Sequence, residues 1–268
     1  MVKKAPPIPV PLNGTPCPSC GTPVAPGAKF CPRCGTPLGA PPAAPVTRTA
    51  GGTVRVKVRA RVSAVSRDGS ASAVFDLSRD ETTLGRTGEV KLDHDPYIAP
   101  KHARFVFRGE QLYVTDESSV NGVFLQLRPP REQELPLGAE LRLGRQLLRV
   151  AAMPDADPVF EGSGPLLGSP DPGYGARFEQ ILEGGEIGDI FPLREGDNLI
   201  GRAAGDVSFP SDGYVSSRHA NVKVKNGAVY LKDLGSANGT FVRVRGQSPV
   251  ATGDMLLVGE QLLRIDPA

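Results

Sequence analysis

The segment NVKVKNGAVYL, residues 221–231, decides the fold class of this chain. Val222 and Val224 alternate with lysines before Asn226-Gly227, and apolar residues follow that dipeptide. Alternation with a period of two is typical of a strand with one buried face. Asn-Gly favours a type I′ turn, because both central residues of that turn need a positive φ. The segment therefore predicts a β-hairpin.

Two strand-rich stretches of the chain repeat one another. Four short motifs recur in the same order at offsets of 115 to 117 residues. The pairs are Leu84-Gly85-Arg86 with Ile200-Gly201-Arg202, Lys101-His102-Ala103 with Arg218-His219-Ala220, Asn121-Gly122 with Asn238-Gly239, and Gln146-Leu147-Leu148-Arg149 with Gln261-Leu262-Leu263-Arg264. Ordered matches at nearly one spacing indicate two copies of one domain. Many short strands separated by turns favour a sandwich or barrel, so the predicted fold class is all-β.

The composition of the chain limits its class. Its 268 residues allow about two domains, and 32 glycines with 27 prolines indicate many turns and linkers. The net charge of +2 provides no general attraction for nucleic acid or an anionic membrane surface. No apolar run approaches the roughly 18 residues of a membrane span, and proline-rich sequence follows the basic N-terminus. We therefore expect a cytoplasmic protein whose partners are neither nucleic acids nor membranes.

All the cysteines lie in one block and form two Cys-x-x-Cys pairs, each followed by glycine: Cys17 with Cys20, and Cys31 with Cys34. Four thiolates make a closed tetrahedral Zn²⁺ site, and the block resembles the short zinc-ribbon family. A redox Cys-x-x-Cys is the alternative, although no βαβ pattern surrounds it. We expect the zinc to be structural, because four protein ligands leave no open position and so short a block cannot bury a core.

Three motifs of the second repeat carry the candidate binding chemistry. They are Gly201-Arg202, Ser216-Ser217-Arg218-His219 and Ser236-Ala237-Asn238-Gly239-Thr240. In order and spacing they resemble the forkhead-associated (FHA) family across residues 176–266. The resemblance implies a β-sandwich whose loops at one end bind phosphothreonine peptides.

The residue types in these motifs suit a phosphate group. A phosphothreonine carries close to two negative charges and three acceptor oxygens. Arg202 can offer paired, charge-assisted hydrogen bonds, Ser216 offers a hydroxyl, and Ser217 offers a second hydroxyl or its N–H group. The resemblance implies that Asn238 holds the peptide backbone. It also implies four residues that support the loops: Gly201, His219, Gly239 and Thr240.

The first repeat departs from this pattern where the serine is expected. Arg86 and Asn121 are present, but Ala99 takes the place of the serine. Ala99 has no hydroxyl, and Pro100 has no N–H group to offer instead. Losing one charge-assisted hydrogen bond costs about 1.5–3 kcal/mol. We expect a weakened or purely structural copy, in which Arg86, Lys101 and Asn121 form a weaker second site.

Two further polar motifs are assigned no site. Asp93-His94-Asp95 is interpreted as an exposed polar loop. Gly144-Arg145 is not predicted to bind phosphate, because its counterpart in the second repeat, Gly259-Glu260, has no arginine.

The predicted organisation has six parts. They are a disordered proline-rich tail (1–16), a zinc ribbon (17–38), a linker (39–52), a divergent FHA domain (53–152), a second linker (153–175) and an FHA domain (176–266).

The expected function is that of a non-enzymatic adaptor. Its second FHA domain is predicted to bind phosphothreonine-containing proteins downstream of Ser/Thr protein kinases, including a kinase or its substrates. Known catalytic motifs are absent from the sequence. The alternatives are a phosphate-independent scaffold or oligomerisation protein, and a nucleic-acid-binding regulator that uses the zinc ribbon.

Overall fold

The structure is a computed structural model that describes residues 15–16, 23–24, 57–66, 69–154, 167–203 and 205–268. Contacts divide the chain into two units, Met1–Arg55 and Val56–Ala268. The described residues form strands and turns, and none of them lies in a helix. That part of the chain therefore contains no helix long and apolar enough to cross a membrane. The predicted all-β fold class is confirmed.

Two short strands of the first unit flank the first cysteine pair in sequence. Strand β1 (Thr15–Pro16) runs antiparallel to strand β2 (Pro23–Val24), with Thr15 opposite Val24. The four cysteines themselves lie outside the described residues, as do the predicted tail and first linker. The zinc site therefore stays a prediction.

The described residues of the second unit form ten strands from each repeat. The first repeat forms β3 (Ala60–Val65), β4 (Ala71–Leu77), β5 (Glu81–Gly85), β6 (Val90–Lys91), β7 (Ala103–Arg108), β8 (Gln111–Asp116), β9 (Val123–Gln126), β10 (Glu132–Leu135), β11 (Glu140–Leu143) and β12 (Gln146–Ala151). The second forms β13 (Tyr174–Ile181), β14 (Ile187–Arg194), β15 (Gly196–Gly201), β16 (Val207–Ser208), β17 (Ala220–Lys225), β18 (Ala228–Asp233), β19 (Thr240–Arg243), β20 (Gln247–Val250), β21 (Met255–Val258) and β22 (Gln261–Pro267).

The hairpin predicted at residues 221–231 is present. Strands β17 and β18 pair antiparallel, with Lys225 opposite Ala228. The two turn residues, Asn226 and Gly227, have φ angles of 50° and 74°. Positive values at both positions are what a type I′ turn requires, so the prediction is confirmed.

Neither repeat folds by itself into a sandwich. Strand β10 of the first repeat pairs with β18 of the second, with Leu135 opposite Val229. Strand β20 of the second repeat pairs with β8 of the first, with Val250 opposite Leu112. The hairpins that follow are exchanged in the same way, so β11–β12 lies between β19 and β13, and β21–β22 lies between β9 and β3.

The first sandwich is therefore built from β3–β9 with β20–β22, and the second sandwich from β13–β19 with β10–β12. One ten-stranded sheet, in the order β14-β13-β12-β11-β19-β9-β21-β22-β3-β4, runs through both. Strands β9 and β19 form its central antiparallel pair, in which Leu125 faces Val242. These two residues are equivalent in the repeats, so the exchange is symmetric about this pair.

Each sandwich has its own apolar core, and each core draws on both repeats. The core of the second sandwich includes Leu141 and Leu148 from the first repeat. The core of the first sandwich includes Leu256 and Leu263 from the second repeat. Complete burial of such a side chain stabilises the fold by roughly 1.5–3 kcal/mol, so the exchanged hairpins are integral to the sandwiches that receive them.

This arrangement differs from the predicted organisation. The sequence predicts one sandwich from residues 53–152 and another from 176–266, whereas each sandwich contains strands from both stretches. The physical reason is that β11–β12 and β21–β22 carry nearly the same apolar pattern. Either sandwich can therefore accept either hairpin at its open sheet edge.

Candidate functional site

Three loops of the second sandwich are joined by hydrogen bonds. The Arg202 N–H group donates to the Ser216 carbonyl at 3.0 Å, and the Ala237 N–H group donates to Ser216 Oγ at 3.1 Å. Asn238 Nδ2 donates to the Tyr214 carbonyl at 2.8 Å. The structure thus brings the segments that carry Arg202, Ser216 and Asn238 side by side, although they are separated in sequence.

His219 is fully buried between two of these loops. The Ser216 N–H group donates to its Nδ1 at 3.1 Å, and its Nε2 lies 3.2 Å from the Gly239 carbonyl oxygen. Because Nδ1 accepts, the proton of a neutral ring is on Nε2, which donates to Gly239. Burial lowers the pKa of His219 and so favours this neutral form. The ring joins two loops and presents no surface to a ligand.

Two residues outside the predicted set, Asp233 and Ser236, order the third loop. Asp233 Oδ1 accepts the N–H groups of Gly235 and Ser236, both at 2.8 Å. Its Oδ2 accepts the hydroxyls of Thr240 at 2.6 Å and Ser236 at 2.7 Å, and Ser236 Oγ accepts the Gly239 N–H group at 3.0 Å. Although burial disfavours its charge, these hydrogen bonds hold the pKa of Asp233 below its ordinary value. The sequence could have indicated this role for Asp233, because an aspartate followed two residues later by glycine is typical of an Asx turn.

The exposed surface of these loops is cationic. Arg202, which follows the buried Gly201 at the end of β15, is exposed, as are Ser217 and Arg218. Neither arginine forms an ion pair with a described residue. The hydroxyl hydrogen of Ser216 likewise has no acceptor in the described part of the chain. These loops therefore present two guanidinium groups and hydroxyl donors to solvent, groups that can bind an anion.

The first sandwich reproduces the same scaffold. The Arg86 N–H group donates to the Ala99 carbonyl at 3.1 Å, and the Ala99 N–H group donates to His102 Nδ1 at 3.0 Å. Asn121 Nδ2 donates to the Tyr97 carbonyl at 2.8 Å. The backbone of this loop cluster is therefore arranged like that of the second sandwich.

The difference between the two clusters lies in the side chains. Ala99 stands where Ser216 offers its hydroxyl, and the Pro100 carbonyl accepts the N–H group and the hydroxyl of Thr87, both at 3.0 Å. Lys101 is exposed and forms no ion pair with a described residue. Val120, the counterpart of Ala237, is 92% exposed. Arg86, Lys101 and Asn121 thus keep their donors in this cluster, whereas Ala99 has no hydroxyl to add to them.

Comparison with known proteins agrees with this geometry. A model of the FHA domain matches residues 82–144 and 198–259. FHA domain-containing protein FhaB of Mycobacterium tuberculosis is 33% identical over 107 residues, which make up 39% of this chain and 69% of that protein. The chain belongs to the FHA-domain family. Each FHA match runs past the point where the chain crosses to the other sandwich, so the family pattern is continuous in sequence but not in space.

Two further matches cover a smaller share of this chain. An oxoglutarate dehydrogenase inhibitor of Corynebacterium efficiens is 34% identical over 94 residues, which make up 34% of this chain and 66% of that protein. A chain solved for a structural and functional analysis of phosphothreonine-dependent FHA domain interactions is 32% identical. That match covers 30% of this chain and 86% of the solved chain, with a TM-score of 0.20.

The cysteine block matches a second family. A model of the zinc-ribbon domain matches residues 17–38, the same block that the cysteine spacing predicts. Its donor set of four cysteines fits a structural zinc ion, which prefers thiolate ligands. In the described residues, no other cluster of cysteine, histidine and carboxylate side chains could hold a metal ion.

One loop of the first FHA cluster differs from its prediction. Asp93-His94-Asp95 was expected to be exposed, but Asp95 is only 4% exposed. Its carboxylate accepts the Tyr97 N–H group at 2.8 Å and the Glu260 N–H group, from the second repeat, at 2.7 Å. The prediction is confirmed for Asp93 and His94, which are exposed, and is wrong for Asp95, because the exchanged hairpin, which sequence spacing does not place, covers that residue.

Proposed function

We propose that the second FHA cluster binds phosphothreonine-containing segments of partner proteins, and that the chain is a non-enzymatic adaptor downstream of Ser/Thr protein kinases. The observation that carries the proposal is the hydrogen-bonded convergence of the segments of Arg202, Ser216 and Asn238. The exposed Arg202 guanidinium and the half-buried Ser216 hydroxyl have hydrogens that no described residue accepts. Membership of the FHA-domain family supports the same function.

Each of these residues has a defined chemical role. The Arg202 guanidinium can form two parallel charge-assisted hydrogen bonds with phosphate oxygens. Ser216 accepts the Ala237 N–H group, which leaves its own hydroxyl hydrogen to donate to the phosphate. Ser217 can add a second hydroxyl. Asn238 uses one of its two N–H donors on the Tyr214 carbonyl, so its other donor and its carbonyl oxygen remain for the backbone of an extended peptide.

The supporting residues order the loops that carry Ser216 and Asn238 before a ligand arrives. His219 joins the Ser216 and Gly239 loops, and Asp233 with Thr240 closes the turn that carries Asn238. Donors that are already oriented bind an anion without a further ordering penalty.

The first FHA cluster, the loops that carry Arg86, Lys101 and Asn121, is proposed to bind phosphothreonine more weakly than the second. Its loop backbone is formed in the same way, but Ala99 removes the hydroxyl, and Lys101 supplies a point charge instead of a bidentate group.

The decisive experiment compares phosphorylated and unphosphorylated forms of the same threonine peptides, taken from a degenerate library, by fluorescence anisotropy with the full chain. We expect binding only of the phosphorylated forms. Arg202→Ala should weaken binding by roughly ten- to hundredfold, from the loss of about 1.5–3 kcal/mol. The matched variant Arg86→Ala should change it little. Equal affinity for both peptide forms would instead support a phosphate-independent scaffold.

We also propose that Cys17, Cys20, Cys31 and Cys34 hold one structural zinc ion. When bound, the ion would cross-link a segment too short to bury its own core. Metal analysis should find about one zinc per chain, and Cys17→Ser together with Cys34→Ser should abolish it. Chelation should leave the thermal unfolding of the two sandwiches unchanged; a lowered transition would contradict a purely local role for the metal.

A further inference from the structure

The first repeat contributes a turn that packs against the second FHA cluster, the loops that carry Arg202, Ser216 and Asn238. Hairpin β11–β12 packs in the second sandwich, and its turn residues, Gly144 and Arg145, lie against the loop around Asp212. The buried Asp212 carboxylate accepts the Arg145 N–H group and the Gln146 side-chain amide through Oδ2, both at 2.8 Å. It also accepts the Tyr214 N–H group at 3.0 Å through Oδ1. One carboxylate therefore fixes the turn and the site loop together.

The contact requires glycine at the first turn position. Gly144 has a φ of 55°, which disfavours other residues. A Cβ atom at this position would lie 2.8 Å from Asp212 Oδ2 and 2.8 Å from Val215 Cγ2. The turn thus approaches the site loop as closely as the backbone allows.

The Arg145 side chain extends over the same loop. Its guanidinium carbon lies 5.4 Å from the ring centroid of Tyr214, whose carbonyl accepts the Asn238 side chain. Arg145 is exposed and forms no ion pair within 4.0 Å of a described carboxylate, although its charge is close enough to help lower the pKa of Asp212. An exposed cation is therefore held beside the residue to which the peptide-binding asparagine is tied.

The first sandwich contains the equivalent docking site, in which a buried aspartate, here Asp95, holds the turn of an exchanged hairpin. The side chain at the second position of that turn is negative, Glu260, instead of positive. The Glu260 N–H group donates to Asp95 Oδ2 at 2.7 Å. Gly259 has a φ of 59°, and a Cβ atom there would lie 2.7 Å from Asp95 Oδ2. The backbone docking of the two turns is equivalent, so the turns differ in the side chain at their second position, Arg145 in one and Glu260 in the other.

We propose that Arg145 is a specificity-determining residue of the second FHA cluster, which favours peptides that carry Asp or Glu beside the phosphothreonine. Glu260 disfavours such peptides at the first cluster. The proposal rests on the proposed function of the second cluster. It depends on the strand exchange as well, because without the exchange Glu260 would occupy the docking site of the second sandwich.

The physical basis is a Coulomb attraction between exposed groups. Exposed ion pairs contribute little, because water and salt screen them. The expected preference for an acidic over an alanine residue is therefore about two- to fivefold in affinity. Reversing the charge at position 145 should turn this preference into a comparable discrimination against the acidic peptide.

The experiment uses the full chain with Arg86→Ala, which silences the first site. Phosphothreonine peptides are scanned with Asp, Ala or Lys at each flanking position, and affinities are measured by anisotropy at low and high salt. Arg145→Glu and the milder Arg145→Gln are compared with a control, Arg108→Glu. Arg108 is an exposed arginine 5.6 Å from the Tyr113 ring, on a strand of the other sandwich, so the control makes the same charge change away from the site.

The parent chain here is the one that carries Arg86→Ala alone. We expect one flanking position at which Asp strengthens its binding to the phosphopeptide. Arg145→Gln should remove the preference, Arg145→Glu should reverse it, and Arg108→Glu should leave it unchanged. Phosphopeptide binding with no acidic preference, or with one that survives both Arg145 substitutions, overturns this inference while the proposed function stands. Absence of any phosphopeptide binding by the parent chain overturns the proposed function itself.

Discussion

Replacing Leu148 with alanine removes a side chain that the first repeat contributes to the core of the second sandwich. Leu148 is fully buried and lies on β12 opposite Leu141 of β11 and Gln180 of β13. Paired strands flank it on both sides, so the surroundings can collapse only slightly into the space left by the missing methyl groups. We expect the substitution to destabilise the second sandwich, although position 148 belongs to the first repeat.

The expected magnitude is that of a leucine-to-alanine change in a closed core, about 2–5 kcal/mol. Amides that exchange with solvent only when this sandwich opens should then exchange roughly 30-fold to several thousand-fold faster. The effect should be largest in β17 and β18, which belong to the second sandwich, and smaller in β7 and β8 of the first.

Hydrogen exchange followed by mass spectrometry separates these strands. The matched control is Leu263→Ala, at the equivalent position of the second repeat, which is also fully buried but packs in the first sandwich. It should accelerate exchange in β7 and β8 and leave phosphopeptide affinity at the second site nearly unchanged. If Leu148→Ala instead exposed mainly β7 and β8, or both sandwiches equally, the reasoning from separate, exchanged cores would be refuted.

Three further outcomes are expected. Ala99→Ser should raise phosphopeptide affinity at the first site by roughly tenfold or more when the second site is inactivated, because it restores a hydroxyl on a preformed loop; an unchanged affinity in a titration would remove this position from the site. Gly144→Ala should lower the unfolding free energy of the second sandwich by about 1–3 kcal/mol, because of positive-φ strain and the close contact of the new Cβ atom with Asp212. Gly213→Ala, whose Cβ atom would lie in open space, should have little effect in the same thermal melts. Because burial lowers the pKa of His219, its contribution to stability is present above the ordinary pKa of about 6.5 and is lost as the pH falls through the pKa of the folded state. Chemical denaturation between pH 7 and 5 should show this loss of stability in the unsubstituted chain and a smaller loss in His219→Gln.

The turns within the candidate loops were partly predictable because some of their contacts are local in sequence, whereas the contacts that join one loop to another, such as Ala237 with Ser216, are not. Ser216 and His219 are three residues apart, as are Asp233 and Ser236, and such short spacings allow few geometries. The Asn226-Gly227 turn likewise follows from the φ values that only certain residues tolerate. Asp95 shows the limit of this reasoning, because its burial depends on a residue 165 positions away.

The sequence by itself determined the all-β class, the repeat, the zinc-ribbon block and the residue types of the candidate binding loops, since periodicity, turn chemistry and motif spacing are short-range properties. Only the tertiary structure decided which hairpin completes which sandwich. The hairpins containing Leu148 and Leu263 present the same apolar pattern, so hydrophobic burial alone does not distinguish the exchanged from the unexchanged pairing. The exchanged pairing seen in the structure places the charge of Arg145 at the second cluster and that of Glu260 at the first.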